Sequence, residues 1–222
     1  MIRAVIFDFD GLILDTESQE WKSLQLLYKE YGAELTLDVW GPVVGTQAGF
    51  DAVDHLQELT GKAVDRELFR KRHRQQVLSA IEKENPLPGV QENLAVAKRL
   101  GLKIGLATSS SYDWVSSHLK RLGLFDDFEC ITTADDVEEV KPNPDVYLKT
   151  AACLGVAPQE ALAFEDSANG SLAAKRAGMY CVVIPNPVTQ TMTFCDEIDH
   201  RMKTMADMEL SELIAYLEAD RS

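Results

Sequence analysis

Short apolar runs rich in branched side chains alternate with segments of helical spacing along most of this chain of 222 residues. Each run is too short for a helix and is followed by a turn and then by apolar residues three or four positions apart. This alternation predicts parallel strands joined by right-handed crossovers, with helices on both faces of one Rossmann-like α/β sheet. The predicted strands cover residues 4–8, 103–108, 130–132, 161–165 and 181–184, and the helices between them cover residues 90–100, 111–122, 144–154 and 168–177.

The alternation is interrupted between the first two predicted strands. Residues 16–84 contain no convincing strand, whereas apolar residues with helical spacing run from Trp21 to Tyr31 and stop at Gly32, a typical helix terminator. We therefore predict two domains. An α/β catalytic core covers residues 1–15 and 85–222, and a small all-α cap domain covers residues 16–84.

The overall charge limits the classes of partner. A formal net charge of −14 argues against nucleic acid and anionic membranes, which both need a basic surface. No stretch approaches the roughly 20 apolar residues of a membrane helix. A cytoplasmic protein with a small-molecule partner is expected, and the sequence does not separate a monomer from a weak oligomer.

The basic run from Arg66 to Arg74 is interpreted as a solvated helix face, with steering of a phosphate as the alternative.

The cysteines show neither CxxC spacing nor the dense framework of a disulfide-rich domain. We expect reduced thiols that form no disulfide and no zinc site. The four residues concerned are Cys130, Cys153, Cys181 and Cys195.

Polar side chains follow the predicted strands at the points where the strands end. Asp8 and Asp10 follow the first strand, the run 108–111 (Thr-Ser-Ser-Ser) the second, Lys141 the third, and Glu165 and Asp166 the fourth. Ligands of open parallel sheets bind beyond the carboxyl ends of the strands. These groups are therefore expected to converge on one edge of the sheet.

Each group has an ordinary structural explanation when taken alone. Ser110 or Ser111 could cap the following helix, and Lys141 could be a surface charge. Glu165 and Asp166 could complement the positive end of a helix dipole. Together, however, four carboxylates at one edge repel one another, and a hard divalent cation such as Mg²⁺ with oxygen ligands relieves that repulsion. A substrate phosphate often completes such a site, so the combination indicates phosphoryl transfer.

The polar segments also match four motifs of one superfamily, in order. The segment from Asp8 to Glu17, Asp-Phe-Asp-Gly-Leu-Ile-Leu-Asp-Thr-Glu, resembles the first motif of the haloacid-dehalogenase-like (HAD) hydrolases. The other three matches are Leu106-Ala-Thr108-Ser109, Lys141-Pro-Asn-Pro144 and Glu165-Asp166-Ser-Ala-Asn-Gly170. Because the helical insert sits where that family's cap sits, the resemblance covers essentially the whole chain. The most similar subgroup is that of sugar-phosphate and phosphoglycolate phosphatases and β-phosphoglucomutases.

The resemblance implies a role for each acidic residue. Asp8 would attack phosphorus to form an aspartyl-phosphate, and Asp10 would protonate the leaving oxygen and then activate the hydrolytic water. Residues two apart on an extended chain face the same way, so both carboxylates can reach one substrate. The metal would be Mg²⁺, held by Asp8, the main-chain carbonyl of Asp10, and Asp166. Glu165 would bind it directly or through water.

The resemblance also implies which residues bind the substrate. Thr108 and the Ser109 amide would bind the transferring phosphoryl group, and Lys141 would neutralise the charge of the transition state. Gly11 would leave room for backbone amides around the phosphate. Further substrate-binding candidates are Thr16 and Gly45.

Three functions stay open. The first is a magnesium-dependent phosphatase for a small phosphorylated metabolite. The dehalogenases of the superfamily lack an acid two residues after the nucleophile and need no metal, whereas Asp10, Glu165 and Asp166 are all present here. The second is a phosphomutase of the β-phosphoglucomutase type. Those enzymes carry a lysine-glycine-x-x-arginine pattern in the cap, whereas residues 44–48 here read Val-Gly-Thr-Gln-Ala. The third is a non-catalytic binding protein on the same fold, which the presence of every motif residue disfavours.

Overall fold

The computed structural model describes residues 1–46 and 49–220 and contains one parallel sheet. The order of the strands is β3-β2-β1-β4-β5-β6, so β1 lies near the centre with β2 and β4 beside it. The predicted α/β fold is confirmed, and β6 is a short addition at the sheet edge. The strands are β1 (Ala4–Phe7), β2 (Lys103–Ala107), β3 (Cys130–Thr132), β4 (Ala161–Glu165), β5 (Tyr180–Val183) and β6 (His200–Arg201).

Helices cover both faces of the sheet because successive strand residues point to opposite sides. Val5 and Phe7 pack with α5, α6 and α9, while Ala4 and Ile6 pack with α7 and α8. The four crossover helices predicted from the sequence start and end within a residue of the observed bounds. The helices are α1 (Thr16–Glu30), α2 (Leu37–Trp40), α3 (Ala52–Thr60), α4 (Arg66–Ile81), α5 (Val90–Arg99), α6 (Tyr112–Leu122), α7 (Asp145–Leu154), α8 (Ala168–Arg176) and α9 (Leu210–Asp220).

The insert after β1 contains helices α1–α4 and no strand within the described ranges 16–46 and 49–84. Many of its apolar residues, among them Leu24, Tyr28, Trp40 and Leu56, form a cluster distinct from the two clusters on the sheet, whereas Ile81 of α4 packs into one of the sheet clusters. Trp40, 9% exposed, is therefore packed in this cluster. The separate cluster is what a cap domain needs, and the exact domain boundaries stay a prediction.

The basic segment of α4 is neutralised by the neighbouring helices. Arg66 and Arg70 both pair with Asp51, each at 2.6 Å between nitrogen and oxygen, and Arg72 pairs with Glu30 at 2.5 Å. These side chains are well exposed, so the pairs contribute little to stability. The arrangement fits the solvated helix face expected from the sequence.

The cysteines depart from expectation. Cys130 of β3 and Cys153 of α7 form a disulfide, with their Cα atoms 6.2 Å apart, so the expectation of four reduced thiols is wrong for this pair. The pairing arises because α7 packs directly against β2 and β3, which brings together two residues 23 positions apart. The spacing of these two cysteines along the sequence does not indicate that contact. The other two, Cys181 and Cys195, are free thiols.

Among the residues that the structure describes, no helix has the length and apolar character needed to cross a bilayer. The cytoplasmic location expected from the sequence stays a prediction.

The disulfide leads to a prediction for thiol titration. Under denaturing, non-reducing conditions two of the four cysteines should react, and reduction should release two more. Cys153→Ser should lower the free energy of unfolding by about 3 kcal/mol, because the bridge closes a loop between residues 23 positions apart and so restricts the unfolded chain. Denaturant titration measures the change, with Cys195→Ser as the control. Four reactive thiols before reduction would contradict the bridge.

Candidate active site

The carboxyl ends of the central strands bring the predicted site residues together. Asp8 follows β1 directly and its N–H donates to the carbonyl of Phe164 in β4 (3.0 Å), while Thr108 follows β2 and donates to Thr132 (3.0 Å). Glu165 is the last residue of β4. Parallel pairing therefore places all three at the same edge of the sheet, as predicted.

A buried lysine links two of the carboxylates. Lys141, 1% exposed, donates from Nζ to Asp8 Oδ1 at 2.5 Å and to Glu165 Oε1 at 2.6 Å. Burial disfavours the charge on Lys141, but the two carboxylates outweigh that effect and raise its pKa. Lys141 is therefore held as a cation beside Asp8.

Glu165 is saturated by protein donors. Its Oε1 also accepts from the Tyr147 hydroxyl at 2.6 Å, and its Oε2 accepts from the Asp166 N–H at 3.1 Å and from the Ser167 N–H and hydroxyl at 3.3 and 3.2 Å. The Cβ of any residue replacing Gly170 would come within 1.9 Å of this carboxylate. Glu165 is thereby fixed in position. This contact of Tyr147 was not predicted, because the sequence indicated only a helix over residues 144–154 at this place.

Asp166 is only partly satisfied. Its Oδ2 accepts from Asn186 Nδ2 at 2.6 Å, but its Oδ1 is buried without a hydrogen-bond partner. Asp8, Glu165 and Asp166 each offer an oxygen, and these oxygens lie within 4.8 Å of one another. An unpaired buried acceptor beside other carboxylates suits a hard divalent cation, so the residues fit Mg²⁺.

Gly11 lies against this cluster. It has φ +80°, and a Cβ at this position would lie 2.3 Å from Asp166 Oδ2 and 2.5 Å from Asn186 Nδ2. Only glycine meets both conditions. This close approach gives the physical reason for a glycine directly after Asp10.

The comparisons with known proteins agree with this geometry. The family model described as haloacid dehalogenase-like hydrolase matches residues 5–184. YhcW of Bacillus subtilis, provisionally named a phosphatase, is 57% identical over 219 residues, covering 99% of each chain. Hexitol phosphatase B of Escherichia coli K12 is 33% identical, covering 99% of this chain and 96% of its own. CbbY of Rhodobacter sphaeroides, solved in complex with phosphate, is 26% identical with a TM-score of 0.75, covering 96% of this chain and 100% of its own.

The chain belongs to the haloacid dehalogenase-like hydrolase family.

In this HAD hydrolase Asp10, the second acidic residue of the motif that follows β1, accepts two hydrogen bonds. Asp10 accepts from Ser110 Oγ at 2.6 Å and from the indole Nε1 of Trp114 at 2.9 Å, one on each carboxylate oxygen. Neither donor was predicted to contact Asp10. Ser110 was considered as a helix cap, but Ser111 caps α6 by accepting from the Trp114 N–H. The pair fixes the orientation of the Asp10 side chain.

The helical insert contacts the site through the segment around Gly45. Ser109 Oγ donates to the Gly45 carbonyl at 3.1 Å, and Asn169 Nδ2 donates to the Val44 carbonyl at 2.9 Å. Gly45 has φ +75°, and a Cβ there would lie 2.2 Å from Ser167 Oγ. Gly45, predicted as a substrate-binding candidate, is therefore also a point of close contact between the insert and the sheet edge. Gln47 and Ala48, which follow it, lie outside the described residues.

A cavity of about 350 Å³ opens beside the cluster. This volume is near the lower end of the roughly 300–1,000 Å³ of small-molecule sites, which suits a small metabolite. The predicted residues Thr16, Gly45, Thr108 and Ser109 all line it, whereas Lys141 and Asp166 lie beneath the surface. The lining residues are Asp8, Asp10, Thr16, Glu17, Glu20, Gly45, Thr46, Thr108, Ser109, Ser110, Ser111 and Trp114.

Two acidic residues of the cavity wall were missed by the sequence reasoning. Burial raises the pKa of Glu17, with Glu20, Asp10 and Asp8 as further causes, and the Gly45 N–H donates to its carboxylate. Burial and the charge of Asp10 raise the pKa of Glu20 to about 7. Helical spacing offered a signal, because Glu17 and Glu20 share one face of α1 with Thr16.

The buried cluster contains three carboxyl groups and one lysine: Asp8, Glu165, Asp166 and Lys141. Burial raises the pKa of Asp8 to about 8, against the lowering effect of Lys141, and it also raises that of Asp166 well above the usual range. The folded, metal-free protein therefore binds protons that the unfolded chain releases above about pH 4.

This excess of bound protons predicts the pH dependence of stability. Because the folded-state pKa of Asp8 is raised, its contribution to stability is lost as pH rises through that pKa. In EDTA, the free energy of unfolding should fall by about 2 kcal/mol between about pH 6.5 and 8.5. His73 affects stability in the opposite direction. Burial lowers its pKa to about 4, so it makes the free energy of unfolding rise mainly between about pH 4 and 6.5, before the window begins.

Saturating Mg²⁺ should remove most of this fall, because a cation favours the ionised carboxylates. Urea titrations at several pH values measure the effect. Asp8→Asn should flatten the metal-free profile, whereas Asp126→Asn, on an exposed residue, should leave it unchanged. A metal-free stability that is constant or rising across the window would contradict the assignment.

Proposed function

We propose that the protein is a magnesium-dependent phosphatase that hydrolyses a small phosphorylated metabolite through an aspartyl-phosphate. The observation that carries this proposal is the buried group formed by Asp8, Lys141, Glu165 and Asp166 beside a small cavity. The phosphatase names of YhcW and hexitol phosphatase B support the same reaction.

The reaction would proceed in two displacements. Asp8 attacks phosphorus, so that a bond forms between its carboxylate oxygen and phosphorus while the bond to the leaving oxygen breaks. Asp10 gives its proton to that leaving oxygen. Asp10 then takes a proton from water, which attacks the aspartyl-phosphate and releases inorganic phosphate with Asp8 restored. The hydrogen bonds from Ser110 and Trp114 orient Asp10 for both steps.

The remaining residues would bind and stabilise the phosphoryl group. Thr108 and the Ser109 amide bind its oxygens, and Lys141, already held against Asp8, balances the charge of the transition state. Asp8, the main-chain carbonyl of Asp10, and Asp166 would hold Mg²⁺, which shields the phosphate charge from the nucleophile when bound. Because Glu165 is saturated by protein donors, we assign it to holding Lys141 and to metal contact through water.

The phosphomutase alternative needs a cation in the insert for a second phosphate. Among the lining residues of the described structure there is no lysine, arginine or histidine. The phosphatase is therefore favoured. The non-catalytic alternative is disfavoured because every motif residue is present and because Asp8, Lys141, Glu165 and Asp166 lie together in one buried group.

Replacement of the nucleophile tests the mechanism. Asp8→Asn should lower kcat/KM for phosphomonoesters by about 1,000-fold or more, because an amide cannot form the intermediate. EDTA should abolish wild-type activity and Mg²⁺ should restore it. Phosphate release measures both effects, with Asp126→Asn as the matched variant that keeps full activity. Normal turnover by Asp8→Asn would refute the aspartyl-phosphate.

Product analysis separates hydrolysis from transfer within one molecule. With β-glucose 1-phosphate as substrate, we expect inorganic phosphate and glucose in equal amounts, since the described lining residues include no lysine, arginine or histidine to hold a second phosphate. Phosphorus NMR follows inorganic phosphate and any glucose 6-phosphate in time, and a glucose oxidase assay measures glucose. Accumulation of glucose 6-phosphate with little inorganic phosphate would establish the phosphomutase instead.

A further inference from the structure

One face of α1 lines the cavity beside the buried cluster. Glu20 lies four positions after Thr16 and three positions after Glu17, so its side chain shares a side of the helix with each of them, and all three residues line the cavity. The Thr16 side chain is buried, with 2% of the residue exposed, and its hydroxyl has no hydrogen-bond partner. A buried hydroxyl without a partner is unfavourable, so Thr16, which lines the cavity, keeps a polar atom available for a further hydrogen bond.

The same wall is acidic. Glu17 and Glu20 line the cavity together with Asp10, and burial raises the pKa of both glutamates, with the charge of Asp10 as a further cause. Within the described part of the lining no lysine, arginine or histidine offsets them. Lys141 is buried behind Asp8 and Glu165, to which it is already bound.

We propose that Thr16, Glu17 and Glu20 form the subsite for the leaving group, and that this subsite selects by charge. Carboxylates accept hydrogen bonds, and hydroxyl groups of an uncharged polyhydroxylated molecule donate them. The Thr16 hydroxyl donates or accepts as the ligand requires. A second carboxylate or phosphate on the substrate would face like charges and find few donors. The inference rests on the proposed phosphatase function. It adds that the cavity accepts an uncharged leaving group and rejects an anionic one.

Substrates matched in carbon skeleton test the selection. Sorbitol 6-phosphate and 6-phosphogluconate differ at one end, which is a hydroxymethyl group in the first and a carboxylate in the second. The wild-type kcat/KM should be lower for the acid by about tenfold or more, because like charges in a partly buried site repel strongly. In a second pair, the cationic group of glucosamine 6-phosphate should make it at least as good a substrate as glucose 6-phosphate.

Neutral variants identify the residues responsible. At about pH 8, above the pKa of Glu20, Glu20→Gln removes one negative charge with little change of shape. It should narrow the ratio of kcat/KM between sorbitol 6-phosphate and 6-phosphogluconate by about threefold or more, mainly through KM for the acid. Glu17→Gln should narrow it in the same direction. Glu58→Gln removes a charge of the same sign from an exposed position of the insert outside the cavity lining, and it should leave the ratio unchanged. The ratio of the two kcat/KM values within one variant does not depend on how much of that variant is folded, because a smaller folded fraction lowers both values equally.

The outcomes are distinct. Hydrolysis of the acid as efficient as that of the alcohol, or an unchanged ratio in both glutamate variants, would overturn the charge selection. If p-nitrophenyl phosphate is hydrolysed with Mg²⁺ but neither six-carbon substrate of the first pair is, the subsite proposal fails while the phosphatase stands. If p-nitrophenyl phosphate is not hydrolysed either, the proposed function itself fails.

Discussion

The contact of Lys141 with Asp8 and Glu165 is the interaction on which the rest of the site depends. An isolated buried charge is strongly unfavourable, and removal of one partner from a buried pair typically costs about 3–5 kcal/mol. Here the lysine joins three segments that are distant in sequence: the end of β1, the end of β4, and the loop before α7. Tyr147 and the backbone after β4 saturate Glu165, so the lysine is directed at Asp8.

The excess of carboxylates over lysine gives the site its chemistry. One lysine cannot balance Asp8, Glu165 and Asp166, and one oxygen of Asp166 is left without a donor. A protein that kept this arrangement without a cation would bind protons instead and lose stability as they dissociate. Folding energetics and metal binding are therefore coupled at the same atoms.

The helical insert supplies what the sheet edge lacks. Its contacts at Gly45 with Ser109 and Ser167 bring it against the site, and α1 contributes Thr16, Glu17 and Glu20 to the cavity. In the proposed reaction the sheet edge carries the groups that transfer phosphate, and the proposed subsite on α1 contacts the rest of the substrate.

Much of the fold follows from local pattern. The crossover helices were predicted within a residue because their apolar spacing and their caps are encoded nearby, as with Ser167, whose hydroxyl accepts from the Gly170 N–H. The two-residue strand β6 was missed because so short a segment has no periodicity to detect. The disulfide was predicted wrongly, since it depends on the packing of α7 against β3 and not on the spacing of the two cysteines.

The sequence by itself determined the α/β order, the motifs and the identity of the groups at the sheet edge, because these depend on periodicity and on parallel strands that end together. Only the tertiary structure decided the neighbours of each group. Trp114 binds Asp10, Tyr147 binds Glu165, and Glu20 lines the cavity, all through contacts between residues whose local sequence fits ordinary helix positions. Burial, hydrogen bonding and charge repulsion act through space, so a pattern along the chain does not contain them.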